Sequence, residues 1–137
     1  MSYAMAGDLQ RAIYERLAGD AGVGALVEGA VFDAVPASAP DLFVALGPER
    51  VNARSDASGE GAIHQVQVSV VTKRNGYSAA KTVAAAVSDA LVDADLPLAR
   101  GRVVSVRFLR AQARRDEGEG TRRIDLWFRA RVDEQAG

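Results

Sequence analysis

The side chains in this chain that could do chemistry are few and scattered. His64 is the only histidine, and there is no cysteine. Those two facts remove His-pair metal sites, thiolate zinc sites, cysteine nucleophiles and disulfides, and they leave the redox compartment open. No serine stands in a G-x-S-x-G elbow, and the glycines of GVGALVEG follow neither the dinucleotide nor the Walker spacing. Asp116, Glu117 and Glu119 are an acidic group that could hold a hard cation, but the EF-hand spacing is absent and a solvated hairpin tip is the simpler reading. A lone histidine at the start of a strand reads as a surface or hydrogen-bonded structural residue rather than a general base. The sequence therefore predicts no catalytic residue, no cofactor and no metal.

Arginine is the other conspicuous type, at fifteen of the seventeen basic residues. Net charge is −1 overall, yet residues 1–99 carry twelve acids against seven Lys and Arg, while residues 100–131 carry ten arginines against four acids. Coding bias alone would account for choosing arginine over lysine. The skew along the chain points either to nucleic-acid contact or to the basic part of one copy meeting the acidic part of the next. No aromatic interleaving of the RNA-binding kind accompanies the arginines.

The elements that would position these residues follow from periodicity. A chain of 137 residues suits one domain spanning 1–137, large enough to bury a core without staples. Met5, Leu9, Ile13 and Leu17 predict an amphipathic helix over roughly 3–18, ended by Gly19 and Gly22, with Asp20 able to cap a short turn reaching Val27. Val31 to Asp33 is a brief extended piece. Leu42 to Leu46 is a short strand that stays extended past Pro48, where a bend or an edge is needed. Ala53 to Ala62 is small and polar, and reads as a mobile loop and candidate partner contact through Arg54, Asp56 and Glu60.

From Ile63 the pattern is clearest. Val66, Val68 and Val70 alternate with Gln65, Gln67 and Ser69, as in a strand buried on one side. Beyond Gly76, Ala80, Val83, Ala84, Val87, Ala90 and Leu91 recur at helical spacing behind Ser78 as N-cap, and this helix would lie across the valine face. Val103 to Arg131 reads as a β-hairpin, with Val104, Val106 and Phe108 on one face of its first strand and Ile124, Leu126, Phe128, Ala130 and Val132 on one face of its second. The outward face then carries Arg107, Asp125, Trp127, Arg129 and Arg131. Trp127 among charges fits either a subunit interface or local packing on arginine stems. The fold class is α+β, a mostly antiparallel sheet with two main helices packed on one face.

Longer stretches add a resemblance. HQVQVSVVTKRNGYSAAKTVAAAVSDAL, preceded by VFDAVPASAPDLFVALG and RLAGDAGVGALV, resembles the tail-completion or tail-terminator proteins of long-tailed phages, the phage lambda protein U type. The later RFLRAQARRDEGEGTRRIDLWFRARV is most similar to the gene-transfer-agent branch. The resemblance implies a structural virion protein, assembled in the bacterial cytoplasm, that caps the tail tube as a ring of six copies at the tail–head junction. Its partners would be copies of itself, the tail-tube protein and the head–tail connector, with DNA passing through the lumen without sequence-specific binding and no membrane involved.

A closed ring needs two different patches of one subunit to meet. Arg107, Trp127, Arg129 and Arg131 are the candidate interface residues. The segments 53–62 and 116–121, with Asp116, Glu117 and Glu119, are expected to order on contact with tube or connector. A nucleic-acid-binding module using the arginine-rich hairpin, or a small-ligand regulatory domain, are the readings from other classes.

Overall fold

The computed structural model describes residues 3–56, 59–116 and 120–134. Its elements run α1 (Ala6–Gly19), α2 (Ala21–Val27), β1 (Val31–Phe32), β2 (Leu42–Asp56), β3 (Gly59–Thr72), α3 (Ser78–Leu91), β4 (Arg102–Asp116) and β5 (Thr121–Asp133). The strands form one sheet in the order β1-β2-β3-β5-β4. Every pairing is antiparallel except β1 with β2. This is the α+β class expected, with the short α2 joining the two main helices.

The period-two valines and the helical stripe meet as their spacing dictates. Val68, Val70, Leu126 and Phe128 point to one side of the sheet, where α3 covers them with Ala80, Val83, Ala84, Val87, Ala90 and Leu91. A buried aliphatic side chain contributes about 1.5–3 kcal/mol relative to an exposed one, so this contact supplies the bulk of the stability. Helix α1 adds Leu9, Ile13 and Leu17, and Arg16 fastens it by donating from Nε to the Ala90 carbonyl at 2.9 Å. The Asp20 side chain caps α2 by accepting from the Val23 N–H at 2.9 Å. α1 and α2 touch β1, β2 and α3, whereas α3 spans β3, β5 and β4.

Three sequence expectations are corrected. Ala53 to Ala62 is not a loop: Ala53 pairs with Ala62 and Arg54 with Gly61, so β2 and β3 run on as a hairpin. The second strand is held from its other side too, because Gly61 also pairs with Asp133. A Cβ at Gly61 would lie 2.7 Å from the Val132 carbonyl oxygen, so its lack of a side chain permits that close pairing. Composition alone hides this, since small polar residues serve a tight hairpin as well as a loop. Secondly, α3 starts at Ser78 itself, with Tyr77 at the cap position making no side-chain cap. Thirdly, irregularities between Val103 and Ser105 and between Phe108 and Arg110 break the alternation of β4. Val104 is therefore displaced from the face it was expected to share with Val106 and is exposed, while Val103 pairs with Val132. His64 lies within β3 rather than at its start, and it is fully buried, the structural alternative of its two expected placements.

Gly101, immediately before β4, has φ +72°, and a Cβ there would fall 2.4 Å from the Asp133 carbonyl oxygen. Gly101→Ala is expected to lower stability by about 2 kcal/mol or more, because both the positive φ and the backbone clash must be relieved. Urea unfolding followed by circular dichroism measures this.

Candidate assembly surface

The helices cover one side of the sheet, and the other side is where the charged residues gather. The register arranges them in cross-strand rows. One row runs Ala45, Ser69, Asp125, Gln112; the next outward runs Phe43, Val71, Arg123, Arg114. On the other side of the Trp127–Arg110 pair lies the row Arg50, Gln65, Arg129, Arg107.

The first two rows are neutralised internally. Ser69 Oγ donates to Asp125 Oδ1 at 2.6 Å, Arg123 Nε donates to the same oxygen at 3.0 Å, and Arg114 Nε donates to Oδ2 at 3.1 Å. Ser69 Oγ in turn accepts from Gln67 Nε2 at 2.9 Å and from Arg123 Nη2 at 3.0 Å. Asp116 closes the cluster, taking Arg114 Nη1 at 2.7 Å and Thr121 Oγ1 at 3.1 Å. Its carboxylate is thus committed within the fold. Burial pushes the Asp125 carboxyl up, but the hydrogen bonds from Ser69, Arg123 and Arg114 outweigh it and hold the group below the usual carboxylate range.

The row Arg50, Gln65, Arg129, Arg107 is different. Arg107 and Arg129 sit directly opposite each other, and among the described residues neither they nor Arg50 make an ion pair. Like charges facing across a ladder cost stability, so the fold gains nothing from this placement. Arg131 lies on the same face one step on, opposite Ser105. Trp127 is half-buried, with the Arg110 guanidinium 5.2 Å from its ring centre, a local packing on arginine.

Arg54 lies exposed on β2 near the hairpin end. Asp56 and Glu60 have strand backbone at that end, but their side chains, together with Glu117 and Glu119, lie outside the described residues. The sequence brought Arg107, Trp127, Arg129 and Arg131 to one face, as the structure does. It missed Arg50, whose facing depends on the register shift between Leu46 and Glu49, and Arg110, whose facing depends on the irregularity before it.

His64 belongs to a separate, structural cluster. Its Nδ1 lies 3.5 Å from Glu49 Oε2, and Tyr3 donates its hydroxyl to Glu49 Oε1. That hydrogen bond, and then the Glu49 charge, raise the Tyr3 hydroxyl above its ordinary value. Glu49 thereby ties the segment before α1 to the sheet, while His64 Nε2 is buried without a partner. No group of three His, Asp or Glu side chains converges as a metal site among the described residues.

The sheet is thus packed by helices on one face and carries the row Arg50, Arg129 and Arg107 on the other. The chain belongs to the tail-completion family: residues 11–133 match the model described as Tail completion protein gp17. Its fold and sequence are similar to a chain in the solved structure titled "Virion of native gene transfer agent (GTA) particle", at 56% identity and a TM-score of 0.90. That match covers 96% of this chain and 99% of the other. Comparison with curated proteins gives no match.

Asp125→Asn should destabilise the fold at neutral pH by about 1–2 kcal/mol, since two arginines lose their shared anchor. The native carboxyl titrates below its unfolded value, so its stabilisation is present above about pH 4 and is lost as pH falls through the depressed value. The gap between wild type and mutant in thermal unfolding should therefore close in strong acid.

Proposed function

We propose that this chain is a tail terminator: a structural protein that caps a finished tail tube as a ring of six copies and joins it to the head connector of a gene-transfer-agent or long-tailed phage particle. The observation that carries this reading is family membership across nearly the whole chain, together with 56% identity to a chain of a gene-transfer-agent virion. The role is structural, assembled in the bacterial cytoplasm and exercised in the particle. The tail-tube and connector proteins are its neighbours along the axis, and DNA passes through the lumen without being read.

Surface chemistry supports the same reading. A ring made from one chain needs heterologous contacts, and the face around Arg107 and Arg129 is half of such a contact, since neither residue makes an ion pair among the described residues. Residues 1–49 hold seven acids against Arg11 and Arg16, so a second copy supplies the missing charge. The candidate residues on this face therefore act between subunits. The candidate partner contacts Arg54, Asp56, Glu60, Asp116, Glu117 and Glu119 belong to the β2–β3 hairpin end and to the segment between β4 and β5, and in this reading they meet tube or connector.

The arginine row also favours a second reading, a nucleic-acid contact through Arg50, Arg107 and Arg129. That reading requires affinity for DNA that falls steeply with salt.

Arg107→Glu separates folding from assembly. It turns a like-charge cross-strand pair into an opposite-charge pair, so the monomer should gain about 0.2–1 kcal/mol. Rings seen by mass photometry or electron microscopy should nevertheless be lost, and Arg129→Glu with Arg131→Glu should lose them too. Normal rings from both variants would remove the basic face from the interface.

A further inference from the structure

Strand β4 is out of keeping with the rest of the sheet. Every residue from Arg107 to Arg115 is exposed, whereas no residue of its partner β5 is. It is an edge strand fifteen residues long, and only β5 lies beside it. On its helix side Phe108, Ala111 and Ala113 join Ile124 and Leu126 as the floor of an apolar groove of about 390 Å³, walled by Ala84 and Ala85 of α3. Phe108 is 47% exposed and Leu109, at the irregularity, 42%. An uncovered edge with apolar side chains is a template for pairing, which proteins normally blunt or cover.

The opposite margin of the molecule is its complement. From Leu26 to Asp41 the chain carries Glu28, Asp33 and Asp41 and no base, and it exposes Leu26 and Val35. Over β4, from 102 to 116, the charges are five arginines against Asp116. β1, in the middle of the acidic segment, and β4 are the two ends of the strand order. Two complementary patches on opposite edges are what a head-to-tail ring uses; a two-fold dimer would set arginine against arginine.

We infer that the occupant of the β4 edge and its groove is the Leu26–Asp41 margin of the next copy, with Val35 and Leu26 covering the apolar floor and Glu28, Asp33 and Asp41 meeting Arg107, Arg110 and Arg115. This rests on the ring reading and specifies the two surfaces that make it.

The absence of native cysteine makes the test direct. Val35→Cys and Ala111→Cys, both exposed positions, are placed in one chain and treated with a short bismaleimide, as assembled rings and in particles. The double variant should give a covalent ladder of oligomers, each single variant none, and a mixture of the two singles should stop at dimers. Ala111→Glu, which keeps an exposed side chain in a strand, should leave the circular dichroism unchanged and abolish rings. Rings that form normally from Ala111→Glu, or a double variant that assembles without cross-linking, overturn the inference while leaving the ring intact. Dimers from Ala111→Cys alone overturn it in favour of a two-fold contact, and capture of a tube or connector protein by that cysteine overturns it in favour of a different occupant. Wild-type protein that is monomeric both in solution and in particles would instead defeat the ring reading beneath it.

Discussion

The pairing of β3 with β5 is the constraint on which the rest depends. The ladder runs without a break from Gly61 opposite Asp133 to Thr72 opposite Arg122. In a period-two structure its register fixes the facing of every side chain at once. One side of this ladder is Val66, Val68, Val70, Ile124, Leu126 and Phe128, and α3 has nowhere else to bury its stripe. The other side is Ser69, Asp125, Trp127 and Arg129. A slip of one residue would put arginines under α3 and valines into water, so core and surface are specified by the same pairing.

Because that ladder is regular, the sequence made it legible. The helical stripe of α3 is buried at each of the six positions its spacing marks, and the outward placement of Arg107, Arg129 and Arg131 follows from simple alternation. Alternation fails where the backbone inserts a residue. β4 does so twice, and no residue type announces it, so Val104 changed face and the groove under Phe108 and Ala111 was invisible. The hairpin at 53–62 was hidden for another reason. Its residues are small and polar, and the force that makes them strand lies in the neighbouring β5, far off in sequence. The Asp125 cluster needed three-dimensional proximity too, since Ser69 and Arg123 come from different strands.

The charge skew along the chain acquires a spatial meaning in the fold. The basic residues at 102–131 occupy the last two strands, β4 at the sheet edge and β5 beside it. The acids of the first third sit on the helices and connections near β1. Two of the arginines are spent inside the subunit on Asp125 and Asp116, where their placement is explained by hydrogen bonds at 2.7–3.1 Å. Arg107 and Arg129 are not, and their mutual repulsion is a cost that the isolated fold carries. Natural sequences accept such local conflict where a partner relieves it. A rigid subunit whose edges are unfinished is suited to assembly in a particle, because binding then orders little and most of the contact energy appears as affinity.

The central claim is that this subunit is stable through β3, β5 and α3, and is completed at β4 only by a neighbour. Amide hydrogen exchange on free protein and on assembled particles tests it most directly. In the free protein β3 and β5 amides should be strongly protected, and the outward-facing amides of β4 between Arg107 and Arg115 should exchange quickly; in the particle those β4 amides should become as slow as the rest. Protection of β4 that is the same in both states, or already equal to that of β3 and β5 in the free chain, would contradict the account.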